Sequence, residues 1–333
     1  MDVLKESRGS ASSPSDDHRV ALSLDALGRA SASRVQSELQ PVEIQSVERV
    51  AAKGAAPARP PMIAGEHPFK MMSEGKNRDF EVYVPKGYDG RRTLPVVYML
   101  HGYADNIEGI KDSSRMNDLA DQKEFAVVYL QAQPKGPQTR QWNLEAGVVA
   151  PKEPGFNDLN YFKGVMQEVD SKLNIDPKSR FIVGHSDGGN AAQYIAYRNP
   201  GLFAGVGAVN STRFITDPPP TLNSKTAAVI LLAGDDRVLP PAGGSDLQLM
   251  MLQPRLWHSR PQEQKNFWAK VNQCSGPPRV QDDGHKLVTH YSNCKGAAVT
   301  EIHRYTAEHG WNQTPQRDTT YDVINTLMLN RRP

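Results

Sequence analysis

Five short apolar runs constrain this chain more than any other feature. They stand in LPVVYMLHGY, FAVVYLQAQ, RFIVGHS, FAGVGAVNS and AAVILLAGDD. None alternates with polar residues, so each reads as a strand buried on both faces, the habit of parallel sheets in α/β proteins. Segments with helical spacing lie between the early runs: NIEGIKDSSRMNDLADQKE, NDLNYFKGVMQEVDSKLN and DGGNAAQYIAYRNP. In the second, Leu159, Phe162, Val165, Met166 and Val169 share one face, and Asn157 or Asp158 can cap its start. DFEVYVPKGY reads as an earlier strand of a meander, and residues 245–273 are helical in character. KLVTHYSNC and VTEIHRYTAEHG read as late strands, and TTYDVINTLMLN as a closing helix. Repeated strand–helix units of this kind predict a mostly parallel sheet covered by helices.

The first part of the chain is different. No Phe, Tyr or Trp precedes Phe69, and Ser, Ala, Arg and Pro dominate. Such a segment has little apolar area to set against its ordering entropy. The expectation is a disordered leader and linker over 1–62, followed by one folded α/β domain over 63–333. A net charge of +2 gives no ground for nucleic-acid binding. No apolar run approaches the roughly 18 to 20 residues of a membrane span. The first twenty residues lack the apolar centre of a signal peptide.

The third buried run ends in GHSDGG, so Gly184-His185-Ser186-Asp187-Gly188 is a G-x-S-x-G placed between a strand and a helix. That context fits a nucleophile elbow: glycines let strand and helix approach, and the turn exposes the serine hydroxyl. The backbone N–H of Asp187 and the new helix's N-terminus would face an oxyanion there. A serine hydroxyl needs a base, and in an elbow fold the partners follow in the order serine, acid, histidine. Of the later histidines (His258, His285, His290, His303 and His309), His309 in EHGW sits between the last strand and the last helix, where the base belongs. Asp235 and Asp236 both stand at the end of AAVILLAGDD, and either can orient an imidazole. The turn in LHGY offers the N–H of Tyr103 as a second oxyanion donor. The two cysteines, Cys274 and Cys294, are not at metal-ligand spacing. They read as two separate thiols or one disulfide.

Across about residues 66–331 these pieces, with QWN, WAKVNQC, SNC and EHGW in order, resemble the esterase branch of the α/β-hydrolases that contains polyhydroxybutyrate depolymerases and feruloyl esterases. The resemblance implies an α/β-hydrolase fold without a large cap domain, and a serine esterase that needs no metal or cofactor. Its pattern of Asp-x-Val-x-Pro before Ala-Gly-Gly selects Asp236 over Asp235, giving the triad Ser186, Asp236 and His309. It also implies a Cys274–Cys294 disulfide, and makes Trp142 and Trp311 candidates for the substrate pocket. The expected partner is an ester: a polyhydroxyalkanoate, a feruloylated or acetylated polysaccharide, or a small ester. A serine peptidase or amidase on the same fold, and a binding protein that has kept the fold without the chemistry, are the alternatives. A disulfide points to an oxidising compartment. With no Sec-type signal in view, the expectation is export by another route through the leader, against a cytosolic location.

Overall fold

The computed structural model describes residues 62–134, 139–144, 157–213, 225–243, 260–314 and 317–329. The expected leader lies outside these residues, except that Met62, assigned to it by composition, is buried in the core. Residues 244–259, most of the stretch expected to be helical before the cysteines, also lie outside them.

Ten strands form one sheet in the order β1-β2-β4-β3-β5-β6-β7-β10-β9-β8. Its centre is built by the apolar runs: β3 (Leu94–Leu100), β4 (Ala126–Leu130), β5 (Ile175–His185), β6 (Gly205–Val209) and β7 (Ala227–Ala233), joined by β10 (Val299–Arg304). These six are parallel to one another. Antiparallel strands extend the sheet at both sides: β1 (Gly65–Ser73) and β2 (Lys76–Val84) on one, and the hairpin β8 (Arg279–Asp282) and β9 (Lys286–Tyr291) on the other.

The central strands are apolar throughout because both faces are covered. Val96, Tyr98 and Leu100 pack with α3 (Asp158–Lys172), α4 (Asp187–Arg198) and α5 (Gln264–Val271). The intervening Val97 and Met99 pack with α1 (Ile107–Ser114), α2 (Met116–Lys123) and α6 (Thr319–Met328). That two-residue alternation sends successive side chains into two separate cores. Asn157 caps α3, accepting from Leu159 N–H at 2.8 Å.

Two elements differ from expectation. The single helical segment over 106–124 is two helices, broken at Arg115, whose φ of 48° is left-handed. Strand β1 has no counterpart in the sequence reading, because GEHPFKMMS is an edge strand that alternates half-buried with exposed residues and contains Pro68. Among the described residues nothing forms a separate cap, and no helix is long and apolar enough to cross a membrane.

In open, mostly parallel α/β sheets, ligands bind outside the carboxyl ends of the strands. Gly102 and Tyr103 follow β3, Ser186 follows β5, Asn210 follows β6, Asp236 follows β7 and His309 follows β10.

Candidate active site

The serine stands where strand β5 turns directly into α4. Its backbone is at φ 52° and ψ −118°, a conformation that costs a non-glycine residue energy and persists only where its surroundings enforce it. The surroundings here are backbone. Ser186 N–H donates to Val209 O at 2.9 Å, and Ser186 O accepts from Gly189 N–H at 2.9 Å. The flanking glycines are required for the close approach: a Cβ on Gly184 would stand 2.1 Å from Gly188 O, and one on Gly188 2.3 Å from Leu100 O.

From this position Ser186 Oγ lies 3.0 Å from His309 Nε2, and His309 Nδ1 lies 2.7 Å from Asp236 Oδ2. The other carboxylate oxygen, Oδ1 of Asp236, accepts from the N–H groups of Val238 and Leu239 at 2.8 and 2.7 Å. Asp236 is buried, whereas the neighbouring Asp235 is exposed and meets the histidine loop only through its backbone N–H, which donates to Ala307 O. Gly234 makes this turn possible, since a Cβ there would meet Tyr305 O at 2.3 Å. The other described histidines after Ser186 do not join this group: His290 bonds Thr300, His303 lies beside Tyr305, and His285 is on the exposed hairpin. His258 lies outside the described residues.

The turn after β3 is held by a histidine that sequence reading passed over. His101 is fully buried; its Nε2 accepts from Ala132 N–H, which leaves the proton on Nδ1 to donate to Gly102 O at 2.7 Å. Burial holds this imidazole's pKa below the ordinary histidine range. With Gly102 O tied on one side, a trans peptide turns the N–H of Tyr103 to the other. The Tyr103 side chain is exposed.

Segment 140–143 lies along this turn. Ala104 N–H donates to Arg140 O, Trp142 Nε1 to His101 O at 2.9 Å, and Trp142 N–H to Asp187 Oδ2 at 3.1 Å. The residue after the serine therefore braces the segment through its carboxylate, a role the G-x-S-x-G pattern does not announce. Asp158 braces it again, accepting from Asn143 N–H and from the buried Arg78. Trp142 and Trp311 are both buried; the Trp311 N–H is committed to Thr320 Oγ1 at 2.8 Å, as that of Trp142 is to a carbonyl.

His185, the residue before the serine, packs its ring 5.1 Å from that of His309 and 6.4 Å from Trp311. Its Nε2 is enclosed without a partner. Desolvation first, then the neighbouring His309, pushes its pKa down to about 3, against the opposing pull of Asp236. His309 thus has beside it an imidazole that stays neutral around pH 7.

Residues 72–320 match the family described as putative esterase. The chain belongs to that family. Among curated relatives it is 24% identical to feruloyl esterase B of Piromyces equi over 218 residues, 65% of this chain and 39% of that protein. It is 25% identical to the putative esterase NocK of Nocardia uniformis subsp. tsuyamanensis over 175 residues, 51% of this chain and 48% of that one. The chain thus spans less than half the length of either relative. Among solved structures, an acetyl xylan esterase from Aspergillus awamori superimposes with a TM-score of 0.54 at 15% identity, over 74% of this chain and 94% of that one. An S-formylglutathione hydrolase from Agrobacterium tumefaciens gives 0.51 at 16% identity, over 80% and 95%. These likenesses establish the α/β-hydrolase fold expected from the sequence.

Proposed function

We propose that this chain hydrolyses carboxylic esters through an acyl-enzyme on Ser186. The observation that carries the reading is the continuous hydrogen-bonded line from Ser186 Oγ through His309 to Asp236, at 3.0 and 2.7 Å. Ser186 Oγ attacks the acyl carbonyl while His309 Nε2 takes its proton. Asp236, fixed by two backbone N–H groups through its other oxygen, holds the imidazole in the tautomer that leaves Nε2 free to accept. The N–H groups of Tyr103 and Asp187 take the oxyanion. The C–O bond to the alcohol then breaks, and the proton on Nε2 goes to the departing oxygen. Water, deprotonated by Nε2, repeats the sequence at the acyl-enzyme and releases the acid. No metal or cofactor enters this scheme.

Trp142 and Trp311, with their N–H groups engaged, serve here as walls behind the turn and the base rather than as donors to substrate. The relatives named for feruloyl and acetyl xylan esters support acyl groups on carbohydrate as the substrate class. The bond between Cys274 and Cys294 supports an oxidising compartment as the place of action.

A fluorophosphonate probe tests the chemistry on the intact chain. Labelling of wild type and none of Ser186→Ala is expected, with hydrolysis of p-nitrophenyl acetate and methyl ferulate lost in parallel. A wild-type protein that neither labels nor hydrolyses these esters would sink the reading.

A further inference from the structure

Strand β6 ends between the nucleophile and the base, and its last residues touch both. Val209 O accepts the N–H of Ser186 at 2.9 Å. The next residue, Asn210, reaches the other way: its Nδ2 donates at 2.9 Å to the carbonyl of Gly310, the residue after His309. One short piece of backbone thus fastens the serine by a main-chain bond and the base loop by a side-chain bond.

The base loop has few such fastenings to the sheet. Its start is held where Asp235 N–H meets Ala307 O, His309 itself by Asp236 Oδ2, and its end to helix α6, where Thr319 N–H meets Asn312 O. Between them the Gly310 carbonyl accepts from Asn210 and, at 3.1 Å, from Asn312. Asn312 belongs to the same loop and would move with it. Asn210 directly follows a buried central strand, so its bond adds, to those from Asp235 and Asp236 at the end of β7, a tie between the His309 loop and the strand end that holds Ser186.

Three further features of Asn210 point the same way. Its backbone is left-handed, at φ 45°, a region that asparagine enters more cheaply than other side chains except glycine. It is almost wholly buried, at 2% exposure. Its Oδ1 is buried without a hydrogen-bond partner. A buried amide that leaves its acceptor unsatisfied carries a desolvation cost. The position keeps the amide for its donor, and the donor goes to the base loop.

We infer that Asn210 is a positioning residue for the reaction, setting the separation of His309 from Ser186 by holding Gly310 O to the end of β6. The inference rests on the reading of His309 as the base. It assigns no contact with substrate to Asn210. Its effect falls on the chemical step, because a base displaced by a fraction of an ångström loses proton transfer while the acyl and alcohol sites stay as they were.

Glycine is a suitable probe at a left-handed position, since it relieves the backbone while deleting the amide. Asn210→Gly is expected to lower kcat on a soluble p-nitrophenyl ester about 10- to 100-fold, the scale of a misplaced catalytic group, with KM within about three-fold of wild type. The rate of fluorophosphonate labelling at Ser186 should fall by the same factor, at a temperature where circular dichroism shows the variant folded. Asn210→Asp, which keeps the shape and loses the donor, should show the same split and stands in if the glycine variant does not fold. Wild-type labelling rates in either folded variant, or a raised KM with kcat intact, would overturn the inference. If wild type itself does not label, the failure belongs to the proposed hydrolysis and not to Asn210.

Discussion

Asp236 divides its carboxylate between two tasks: Oδ2 lies 2.7 Å from His309 Nδ1, while Oδ1 is held by the N–H groups of Val238 and Leu239. The side chain therefore cannot rotate without breaking bonds in its own turn, and its direction is set before substrate arrives. Asparagine there would keep the turn but present an amide to His309 in the wrong sense. Asp236→Asn should lower kcat by about ten-thousand-fold, the order found when an orienting carboxylate is neutralised. Asp235→Asn should stay within about two-fold of wild type, as an exposed substitution that leaves the backbone bond to Ala307 in place. Initial rates on one soluble ester rank the two; the opposite ranking would move the acid role to Asp235.

The buried pair of Arg78 and Asp158 gives a prediction about scaffold and site together. Both side chains are 1% exposed, the Arg78 guanidinium lies 3.7 Å from the centre of the Tyr161 ring, and Asp158 also holds Asn143. Burial pushes the Asp158 carboxyl above its ordinary range, against the opposing pull of Arg78. Asp158→Ala leaves the guanidinium without its carboxylate and should cost about 3 to 5 kcal/mol in urea unfolding. It should also loosen segment 140–143 over the turn that carries Tyr103, so kcat should fall even where the variant is folded. A folded variant with full kcat would show that the segment is held without Asp158.

His185 makes acid sensitivity predictable in sign. Its folded-state pKa near 3 lies below the ordinary 6.5, so below 6.5 the unfolded chain binds a proton that the folded chain refuses. The stability this histidine leaves intact is whole above pH 6.5 and is lost as pH falls from 6.5 towards 3, at up to about 1.4 kcal/mol per pH unit. His101 acts with the same sign, and the raised Asp158 and Glu301 carboxyls act against it, but none of these changes when His185 is replaced. Between pH 7 and pH 5, wild type should therefore lose up to about 2 kcal/mol more than His185→Phe. Urea midpoints at the two pH values measure this. Parallel losses in the two proteins would mean that His185 accepts its proton when folded.

The sequence pointed to the strand–turn–helix at Ser186 and to His309, the proposed base, because both signals are local: a serine between glycines at the end of an apolar run, and a histidine between the last strand and the last helix. The parallel strands were legible for a similar reason, since burial on both faces leaves an unbroken apolar run. What escaped depends on contacts between distant segments. Nothing near Arg115 marks a helix break, as no glycine or proline stands there, and the left-handed turn is sustained by Arg115 N–H bonding Lys111 O. The choice of Asp236 over Asp235 rests on resemblance to a family pattern, because the two neighbours look alike in sequence; in three dimensions Asp236 is buried against His309 and Asp235 is exposed. Asn210, His101 and the carboxylate of Asp187 act on partners 100, 31 and 45 residues away, which spacing along the chain cannot reveal.

The disulfide should matter for stability and not for chemistry. Cys274 follows α5 and Cys294 precedes β10, while His309 follows the same strand, so bridge and base lie at opposite ends of β10. Backbone bonds frame the bridge as well: Ser275 N–H donates to Asn293 O at 2.8 Å, and Gly296 N–H to Asn272 O at 2.9 Å. These persist without the sulfur bond, so the folded arrangement should survive its loss. What changes is the unfolded chain, which gains the freedom that a closed loop of this length denies it, worth about 3 kcal/mol. The double variant Cys274→Ser, Cys294→Ser should therefore unfold about 6 to 12 °C lower. At 25 °C its kcat and KM should match wild type. Reduction of the wild-type protein should reproduce the drop and leave the variant unmoved. A kcat lost in the folded double variant would show that the bridge reaches the base through β10.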